Sequence, residues 1–333
     1  MKLQDRISLL YQLNVHLGEN DSTLEDIKHL ANRQNGWFVP EFINLAIENI
    51  RKNYLVTEKL EAWANQYYIP DNQVNTKTVG ITMAGNIPLV GLHDFLTIFL
   101  SGHKQRIKPS SKDEVLIKHI VEFLASIEPR VNDYVTFSER LNGCDAYIAT
   151  GSNNSARYFE YYFGKYPHII RRNRTSAAVL TGNESPEELN FLADDMLLYF
   201  GLGCRNVSRL FVPRNYNFVP LLRTLDKFSW MKDHNKYRNN YDYQLSLYIL
   251  NNRYYMSNDA VLLVEDDGLF SPISQVNYSF YEDDTVPGTN FFPLEDIQCF
   301  CGGDGIAFGQ AQSPSLRDYA DGVDTMAFAL QLK

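Results

Sequence analysis

The sequence predicts an α/β protein with two domains and a parallel sheet. In the first half of the chain, short apolar runs typical of strands occur at 78–83, 105–108 and 146–149, and helical runs at 89–101 and 112–127 separate them. Strands joined by helices form βαβ units, in which the strands are parallel. A chain of 333 residues also exceeds the roughly 100–200 residues of one ordinary domain.

Helices are predicted before this alternation and again after it. In the first 70 residues, Leu3, Ile7 and Leu10 keep the spacing of one helical face. The sequence Pro-Asp-Asn at 70–72 ends this helical part. The second half is predicted to contain a helix at 186–201 and strands at 207–212, 260–264, 275–281 and 297–300.

Composition and charge exclude several classes of protein. The chain has 31 Lys and Arg residues against 40 Asp and Glu, so its net charge is −9, which disfavours nucleic acid as the main partner. The hydrophobic fraction of 44% is that of a folded globular protein and excludes disorder. The most apolar stretch, 87–100, is interrupted by His93 and Asp94 and is too short to span a bilayer.

Cysteine usage and the N-terminal residues predict a cytoplasmic protein. The first residues lack the apolar run and the cleavage site of a signal peptide. The four cysteines, Cys144, Cys204, Cys299 and Cys301, do not have the spacing of zinc ligands, so no metal is predicted. Few cysteines without an export signal are typical of a reducing compartment, where a cysteine is considered first as a reactive thiol.

Cys204 is the candidate nucleophile. It follows Gly201 and Gly203 at the end of a helical run and precedes a predicted strand, so we expect it on a turn. Glycine permits unusual backbone angles and close approach of a substrate there. Arg205 and Arg209 are expected to lower the pKa of the thiol and so to favour the thiolate. The alternative is a cysteine that only packs in the interior.

Three other turns follow predicted strands, where open α/β sheets bind their ligands. Asn86 is either a turn residue at a helix start or an amide that polarises a carbonyl oxygen. Lys108 and Ser110 belong either to an ordinary surface turn or to a contact with ribose or phosphate. Gly151 and Ser152 form either a routine turn or a phosphate site at a helix start. The sequence lacks the usual Gly-x-Gly-x-x-Gly and P-loop patterns.

Taken in order, these motifs resemble the aldehyde dehydrogenase superfamily. The chain has Gly-Asn-Ile-Pro at 85–88, Lys-Pro-Ser at 108–110, Thr-Gly-Ser at 150–152 and Gly-Cys at 203–204. The superfamily patterns are Pro-Trp-Asn-x-Pro, Lys-Pro-Ser, Thr-Gly-Ser and Gly-Gln-x-Cys. The run Ala-Gly-Asn-Ile-Pro-Leu-Val-Gly at 84–91 is most similar to the LuxC branch, the acyl-CoA reductases that supply fatty aldehyde to bacterial luciferase. The likeness extends from about residue 78 to the C-terminus.

The resemblance implies a site and a cofactor. Cys204 would take an acyl group from a thioester, and its backbone N–H together with Asn86 would hold the oxyanion. Lys108, with Ser110 in the same turn, would contact the adenosine ribose, and Gly151 with Ser152 would approach the pyrophosphate. This superfamily binds NADPH or NADH without the Gly-x-Gly-x-x-Gly pattern, which accounts for its absence here.

Two departures from the superfamily pattern refine the expectation. Hydrolytic members carry a Glu-Leu-Gly-Gly segment some three dozen residues before the cysteine, whereas 168–176 contains no acid. The absence of an acid favours reduction of the acyl group over its oxidation to a free acid. If a base is present, His168 is the residue that would stand in for the missing acid. NAD-selective members often place a Glu three residues after the lysine, whereas this chain has Ser111 followed by Lys112, which favours NADPH.

The predicted fold is therefore aldehyde-dehydrogenase-like, with a Rossmann-type cofactor domain and a smaller α/β catalytic domain. The cofactor domain is placed at 1–182, with the tail 305–333 returning to it, and the catalytic domain at 183–304. The predicted activity is NAD(P)H-dependent reduction of an acyl-CoA thioester to an aldehyde, NADPH being preferred. The alternatives are another CoA-acylating dehydrogenase, a semialdehyde dehydrogenase that uses an acyl phosphate, or a non-catalytic paralogue. The resemblance also allows an acyl-protein synthetase as a partner, and a homo-oligomer.

Overall fold

Two units make up the chain in the computed structural model, which describes residues 1–19, 21–282 and 295–332. The first unit combines Met1–Asn173 with Ser315–Lys333, and the second unit is Arg174–Pro314. None of the helices in the described ranges is both long enough and apolar enough to cross a membrane.

Helices cover the start of the first unit, as the sequence predicts, and they connect its strands. The helices of this unit are α1 (Leu3–Gly18), α2 (Ser22–Gln34), α3 (Pro40–Asn53), α4 (Thr57–Gln66), α5 (Leu92–Ser101), α6 (Glu114–Ile127), α7 (Val131–Tyr134), α8 (Asn153–Phe163) and α12 (Thr325–Leu330). A short 3₁₀ turn, Ala320–Gly322, precedes the last of them.

Five parallel strands form the sheet of the first unit. They are β1 (Thr78–Thr82), β2 (Lys104–Lys108), β3 (Val135–Phe137), β4 (Ala146–Thr150) and β5 (His168–Arg171), in the spatial order β3-β2-β1-β4-β5. The predicted strands at 78–83, 105–108 and 146–149 are confirmed, whereas β3 and β5 were not predicted. From β1 the strands continue to one side as β2 and β3 and to the other side as β4 and β5. The topological switch point therefore lies between β1 and β4, and open α/β sheets bind their ligands at such a point.

Helix α5 begins at Leu92, three residues later than the sequence predicts. The preceding Leu89 adopts a left-handed conformation with φ +57, which a helix cannot include. Its backbone N–H donates a hydrogen bond of 2.7 Å to Oδ2 of the buried Asp113. This hydrogen bond therefore holds the loop between β1 and α5 in a fixed shape.

The C-terminal segment is tied to the first unit by buried polar contacts. Arg171, at the end of β5, donates to Asp94 Oδ2 at 2.5 Å and to Thr325 Oγ1 at 2.9 Å. His103 lies 2.9 Å from the carbonyl oxygen of Ala329. Because these groups are buried, each hydrogen bond offsets a desolvation cost that would otherwise destabilise the fold.

Six strands form the sheet of the second unit. They are β6 (Thr175–Val179), β7 (Val207–Pro213), β8 (Met256–Ser257), β9 (Leu262–Glu265), β10 (Gln275–Tyr281) and β11 (Ile297–Cys301), in the order β11-β6-β7-β10-β9-β8. All pairs are parallel except β8 with β9. The helices of this unit are α9 (Pro186–Leu197), α10 (Val219–Leu225) and α11 (Asn235–Leu250), with 3₁₀ turns at Leu198–Gly201 and Asp226–Asp233.

The boundaries between the two units differ from the domain boundaries that the sequence predicts. The first division falls between 173 and 174 rather than between 182 and 183, and the tail joins the first unit at 315 rather than 305. The reason is β6, whose five residues are nearly all small and were not predicted as a strand. It pairs with β7 and β11, so the second sheet begins directly after Arg174.

The burial of Asp113 gives a prediction about stability and pH. Burial raises the pKa of this carboxyl well above its ordinary value, so the folded state binds the proton more tightly than the unfolded chain. The contribution of Asp113 to the free energy of unfolding is fully present below about pH 4, where the carboxyl is protonated in both states. It is lost as the pH rises through the folded-state pKa. The loss is about 1.4 kcal/mol for each unit by which the folded-state pKa exceeds the unfolded-state pKa. Asp113→Asn should therefore lower the difference between the melting temperatures at pH 5 and pH 8.

Thermal unfolding at the two pH values measures this effect. Asp133→Asn, at an exposed carboxylate of α7, is the matched control and should keep the wild-type pH dependence. An Asp113→Asn variant with the full wild-type dependence would show that Asp113 is not the group that titrates.

Candidate active site

Cys204 lies on the turn that joins α9 to β7, as the sequence predicts. Helix α9 ends at Leu197, and a short 3₁₀ turn leads to the cysteine. Within that turn Tyr199, Phe200 and Gly201 have φ values of +57, +58 and +71. Three successive left-handed residues reverse the chain sharply and place Cys204 three residues before Val207, the first residue of β7. Gly201 is needed for this conformation, whereas Gly203 is not left-handed.

Packing of Phe200 compensates for the strained turn. A left-handed conformation costs a non-glycine residue about 1–3 kcal/mol. The Phe200 ring is buried and lies against Trp230, His234 and Tyr237, with ring centroids 5.7, 4.5 and 5.5 Å away. Burial of one phenylalanine stabilises by roughly 1.5–3 kcal/mol, which is enough to offset the strain at one residue.

The side chain of Asn206 fixes the turn from inside. Its Nδ2 donates to the carbonyl oxygens of Asp195, Met196 and Leu198 at 3.1, 3.3 and 2.9 Å, and its Oδ1 accepts from Gly203 N at 2.8 Å. These carbonyls end α9 and lack helical partners. Sequence analysis did not identify Asn206, although an amide two residues after the cysteine is the group that can satisfy donors and acceptors together.

Strand β6, which contains the end of the acid-free segment 168–176, brings a hydroxyl to the Cys204 turn. Ser176, in β6, donates from Oγ to the carbonyl oxygen of Cys204 at 3.1 Å, and the same Oγ lies 3.0 Å from the sulfur of Cys299. Thr175 Oγ1 lies 2.5 Å from Ser208 Oγ. The groups that 168–176 contributes to this turn are therefore hydroxyls, which do not act as general bases at neutral pH.

The two arginines near Cys204 have different surroundings. The buried guanidinium of Arg209 donates to Ser279 Oγ at 2.7 Å and to Asp267 Oδ1 at 3.3 Å, and it lies 5.1 Å from the centroid of the Phe211 ring. Burial lowers the pKa of Arg209. Asp267 is thus its ion-pair partner, and the expected effect of Arg209 on the Cys204 thiol stays a prediction. Arg205 remains the cation of the turn, and its charge acts on Cys299.

In the first unit, the other predicted residues gather at the carboxyl ends of β1, β2 and β4. Asn86 is exposed in the loop after β1, and Lys108 is the exposed last residue of β2, in register with Thr82 of β1. Ser110 follows two residues later, and a Cβ on Gly85 would lie 2.5 Å from its Oγ. The β1 and β2 turns therefore touch, and only glycine fits at position 85.

Gly151 and Ser152 follow the last residue of β4. Ser152 is the N-cap of α8, where its Oγ accepts from Ser155 N at 3.2 Å. A Cβ on Gly151 would lie 2.8 Å from the Cβ of Ser155 and 2.9 Å from the Phe159 ring. The close packing of α8 on this turn thus requires the glycine, and the helix start faces the switch between β1 and β4.

His168 and the nearest acids are engaged elsewhere. His168 is the first residue of β5, in the first unit, and its Nδ1 lies 2.8 Å from the Tyr166 carbonyl oxygen. Glu160 lies 3.6 Å from Arg172 and 3.9 Å from His168. Glu184 accepts from the backbone N–H groups of the turn after β6. The role of His168 as a stand-in base stays a prediction, as do the roles of Asn86 and of the cofactor residues.

These residues fit a dinucleotide better than a metal. The carboxyl ends of β2 and β4 carry the exposed cation of Lys108, the hydroxyl of Ser110 and the capped start of α8, a set that suits ribose and phosphate groups. Among the described residues, no three His, Cys, Asp or Glu side chains form a group that could hold a metal ion.

Comparison of structures identifies the fold. An NAD-dependent benzaldehyde dehydrogenase from Corynebacterium glutamicum is similar with a TM-score of 0.61 and 12% identity, over 86% of this chain and 73% of that one. The aldehyde dehydrogenase of Mycobacterium tuberculosis in complex with NAD⁺ has a TM-score of 0.63 and 12% identity, over 86% of this chain and 70% of that one. The NAD⁺ complex of an aldehyde dehydrogenase from Bacillus cereus has a TM-score of 0.59 and 14% identity, over 85% of this chain and 68% of that one.

The resemblance of the motifs is not accompanied by a match over the whole sequence. No family model and no curated protein matches it. At 12–14% identity the similarity concerns the arrangement of strands and helices rather than individual residues. On that arrangement, this chain has the aldehyde dehydrogenase fold.

Proposed function

We propose that the protein is an NAD(P)H-dependent acyl-CoA reductase that forms an aldehyde through an acyl-Cys204 intermediate. One observation carries the proposal. The segment some three dozen residues before Cys204, which supplies a carboxylate in hydrolytic relatives of this fold, reaches the Cys204 turn through Ser176 and holds no acid. Without a base to activate water, an acyl-enzyme persists until it is reduced or returned to a thiol.

The chain's own residues support the first chemical step. The Cys204 thiolate attacks the thioester carbonyl, the CoA thiolate leaves with the electron pair of the broken C–S bond, and a proton neutralises it. The left-handed turn and Asn206 hold the Cys204 backbone N–H in place, so that this N–H can donate to the oxyanion. Arg205 adds positive charge beside the turn, which favours the thiolate.

Reduction completes the cycle. A bound NADPH or NADH would supply the hydride to the thioester carbonyl carbon. The Cys204 sulfur then leaves with its electron pair as the aldehyde forms, and protonation restores the thiol. Lys108 and Ser110 are suited to the ribose end of such a cofactor, and Gly151 with Ser152 to its phosphates. The acyl-protein synthetase partner, the homo-oligomer and a cytoplasmic location belong to the same proposal.

Acylation should occur at Cys204 alone. Cys204→Ala should remove both the adduct and NADPH oxidation while leaving the circular dichroism spectrum unchanged, because the side chain is small and only half-buried. Mass spectrometry of reduced protein incubated with a long-chain acyl-CoA locates the adduct. Cys144→Ala, at a buried cysteine of the first unit, is the control and should acylate normally. An adduct on Cys299 or Cys301 in place of Cys204 would contradict the assignment.

The acyl-enzyme should resist water. General-base activation of water is worth about 10²–10⁴-fold, and the Cys204 turn receives hydroxyls from β6 instead. Protein acylated with radiolabelled acyl-CoA and then desalted should keep its label for many minutes in buffer, release it much faster to added CoA, and release it as aldehyde with NADPH. Rapid loss as free fatty acid would favour a hydrolytic enzyme. If His168→Ala slowed that loss, His168 would be the base.

Cofactor preference should depend on the turn after β2. Ser111 and Lys112 are both exposed there, and neither carries the carboxylate that would repel the 2′-phosphate of NADPH. Ser111→Glu should shift preference toward NADH by ~1–2 kcal/mol, the strength of a charged hydrogen bond, or about tenfold in the ratio of kcat/KM values. Ser126→Glu makes the same charge change at an exposed site in the last turn of α6 and should leave the ratio unchanged. A wild-type protein that uses NADH alone would contradict this prediction.

A further inference from the structure

The side chain of Ser176 joins three segments of the second unit. Its Oγ donates to the Cys204 carbonyl oxygen at 3.1 Å and accepts from the Cys299 backbone N–H at 3.2 Å. The Cys299 sulfur lies 3.0 Å from the same Oγ. Strands β6 and β11 and the Cys204 turn therefore meet at one hydroxyl. Because Ser176 is fully buried, its hydrogen bonds do not compete with water.

The single proton of this hydroxyl gives the hydrogen bonds a direction. A serine hydroxyl has one donor and two acceptor lone pairs. The Cys299 backbone N–H can only donate, so it occupies one lone pair. With the proton on the side of the Cys204 carbonyl, the second lone pair faces the Cys299 sulfur, whose S–H can donate to it. All three positions of the Ser176 hydroxyl are therefore filled.

Irregular strand pairing on both sides of β6 directs Ser176 toward the turn. The register of β6 with β7 shifts between Ser176 and Ala177. The pairing of β11 with β6 is irregular between Ile297 and Phe300, and here the Ser176 side chain accepts an N–H in place of a backbone carbonyl. Such irregularities change the direction in which a side chain points. β11 thus holds the hydroxyl in position for Cys204.

Cys204 is the second residue of a β-turn formed by 203–206. The backbone N–H of Asn206 donates to the Gly203 carbonyl oxygen at 3.0 Å and closes this turn. That hydrogen bond fixes the peptide that precedes Cys204. The peptide that follows Cys204 is the central peptide of the turn, which the closing hydrogen bond does not include. Its carbonyl is the one that Ser176 binds.

The two fixed peptides together set the direction of the Cys204 side chain. The Cα–Cβ bond of a residue takes its direction from the peptide planes on both sides. A complete flip of the central peptide would give a type II turn, which needs a left-handed residue at Arg205. Arg205 is not left-handed, and that conformation would be strained. The Ser176 hydrogen bond also restrains smaller rotations of this peptide.

We propose that Ser176 is a positioning residue, which holds the Cys204 sulfur and the Cys204 backbone N–H in the geometry that acyl transfer needs. In acyl transfer the sulfur attacks a carbonyl carbon while the N–H donates to the oxygen of the same group, so both must be aligned together. This role depends on Cys204 being the nucleophile of the proposed function, but not on acyl-CoA being its substrate.

Acetylation by p-nitrophenyl acetate tests this role without CoA or NADPH. The Cys204 sulfur takes the acetyl group and p-nitrophenolate leaves, so the absorbance of p-nitrophenolate gives the rate, and mass spectrometry locates the acetyl group. Cys204→Ala gives the background rate. Ser176→Ala should lower the rate of Cys204 acetylation about fivefold, the contribution of one neutral hydrogen bond. Ser176→Thr keeps the hydroxyl and should restore most of the rate.

Alkylation by iodoacetamide separates positioning from a general loss of structure. This reaction uses the Cys204 sulfur but forms no oxyanion, so Ser176→Ala should change its rate by less than about twofold across the pH profile. An equal loss in acetylation and alkylation would show that Ser176 acts on the structure of the turn as a whole, and would overturn the proposal.

Cys299→Ala is the matched control. It removes the sulfur beside Ser176 but keeps the hydroxyl and the backbone N–H of residue 299, so it should acetylate at the wild-type rate. Wild-type acetylation in Ser176→Ala would overturn the proposal, as would an equal loss in Cys299→Ala. A wild-type protein whose Cys204 takes no acetyl group would overturn the nucleophile and this role together. Acetylation by the ester without any reaction with acyl-CoA would contradict the proposed substrate and leave the role of Ser176 supported.

Discussion

Parallel strand pairing is the constraint on which both sets of candidate residues depend. In a parallel sheet all carboxyl ends lie at one edge and all amino ends at the other, so residues far apart in sequence meet there. In the first unit the carboxyl ends of β1, β2 and β4 gather Asn86, Lys108 and Ser152. In the second unit, the pairing of β6 with β7 begins with Ser176 opposite Val207, at the amino ends of both strands. This edge, opposite to the one that usually binds ligands in open α/β sheets, is where Ser176 meets the Cys204 turn.

The Cys204 turn shows how a reactive position is kept rigid. A helix that ends in three left-handed residues exposes carbonyl groups and stores backbone strain. The buried carboxamide of Asn206 satisfies three of those carbonyls and the Gly203 N–H, and the Phe200 ring packs among aromatic side chains. The turn is therefore held from both sides before any substrate arrives. Such preorganisation is what an oxyanion-binding N–H requires, because it need not reorganise during the reaction.

The chemistry around Cys204 follows from which polar groups β6 and β11 bring there. β6 contributes the Ser176 hydroxyl, and β11 contributes Cys299, whose sulfur is hydrogen-bonded to that hydroxyl. In the proposed function, a carboxylate in that place would activate water, whereas the Ser176 hydroxyl does not. The same contacts place the half-buried Cys299 next to the candidate nucleophile.

The sequence by itself determined the alternation of strands and helices, the helical start of the chain and the turn that carries Cys204. Hydrophobic periodicity and the Gly-x-Gly-Cys pattern are local signals, and they are read without knowing what packs on what. Tertiary structure alone decided the small-residue strand β6, whose strand character comes from pairing with β7 and β11. It also decided that Arg209 is paired with Asp267, that the Asn206 side chain holds the turn, and that Cys299 lies beside Ser176. These are contacts between residues 28 to 123 positions apart, or between a side chain and a helix end. They depend on sheet register and burial, which no local pattern encodes.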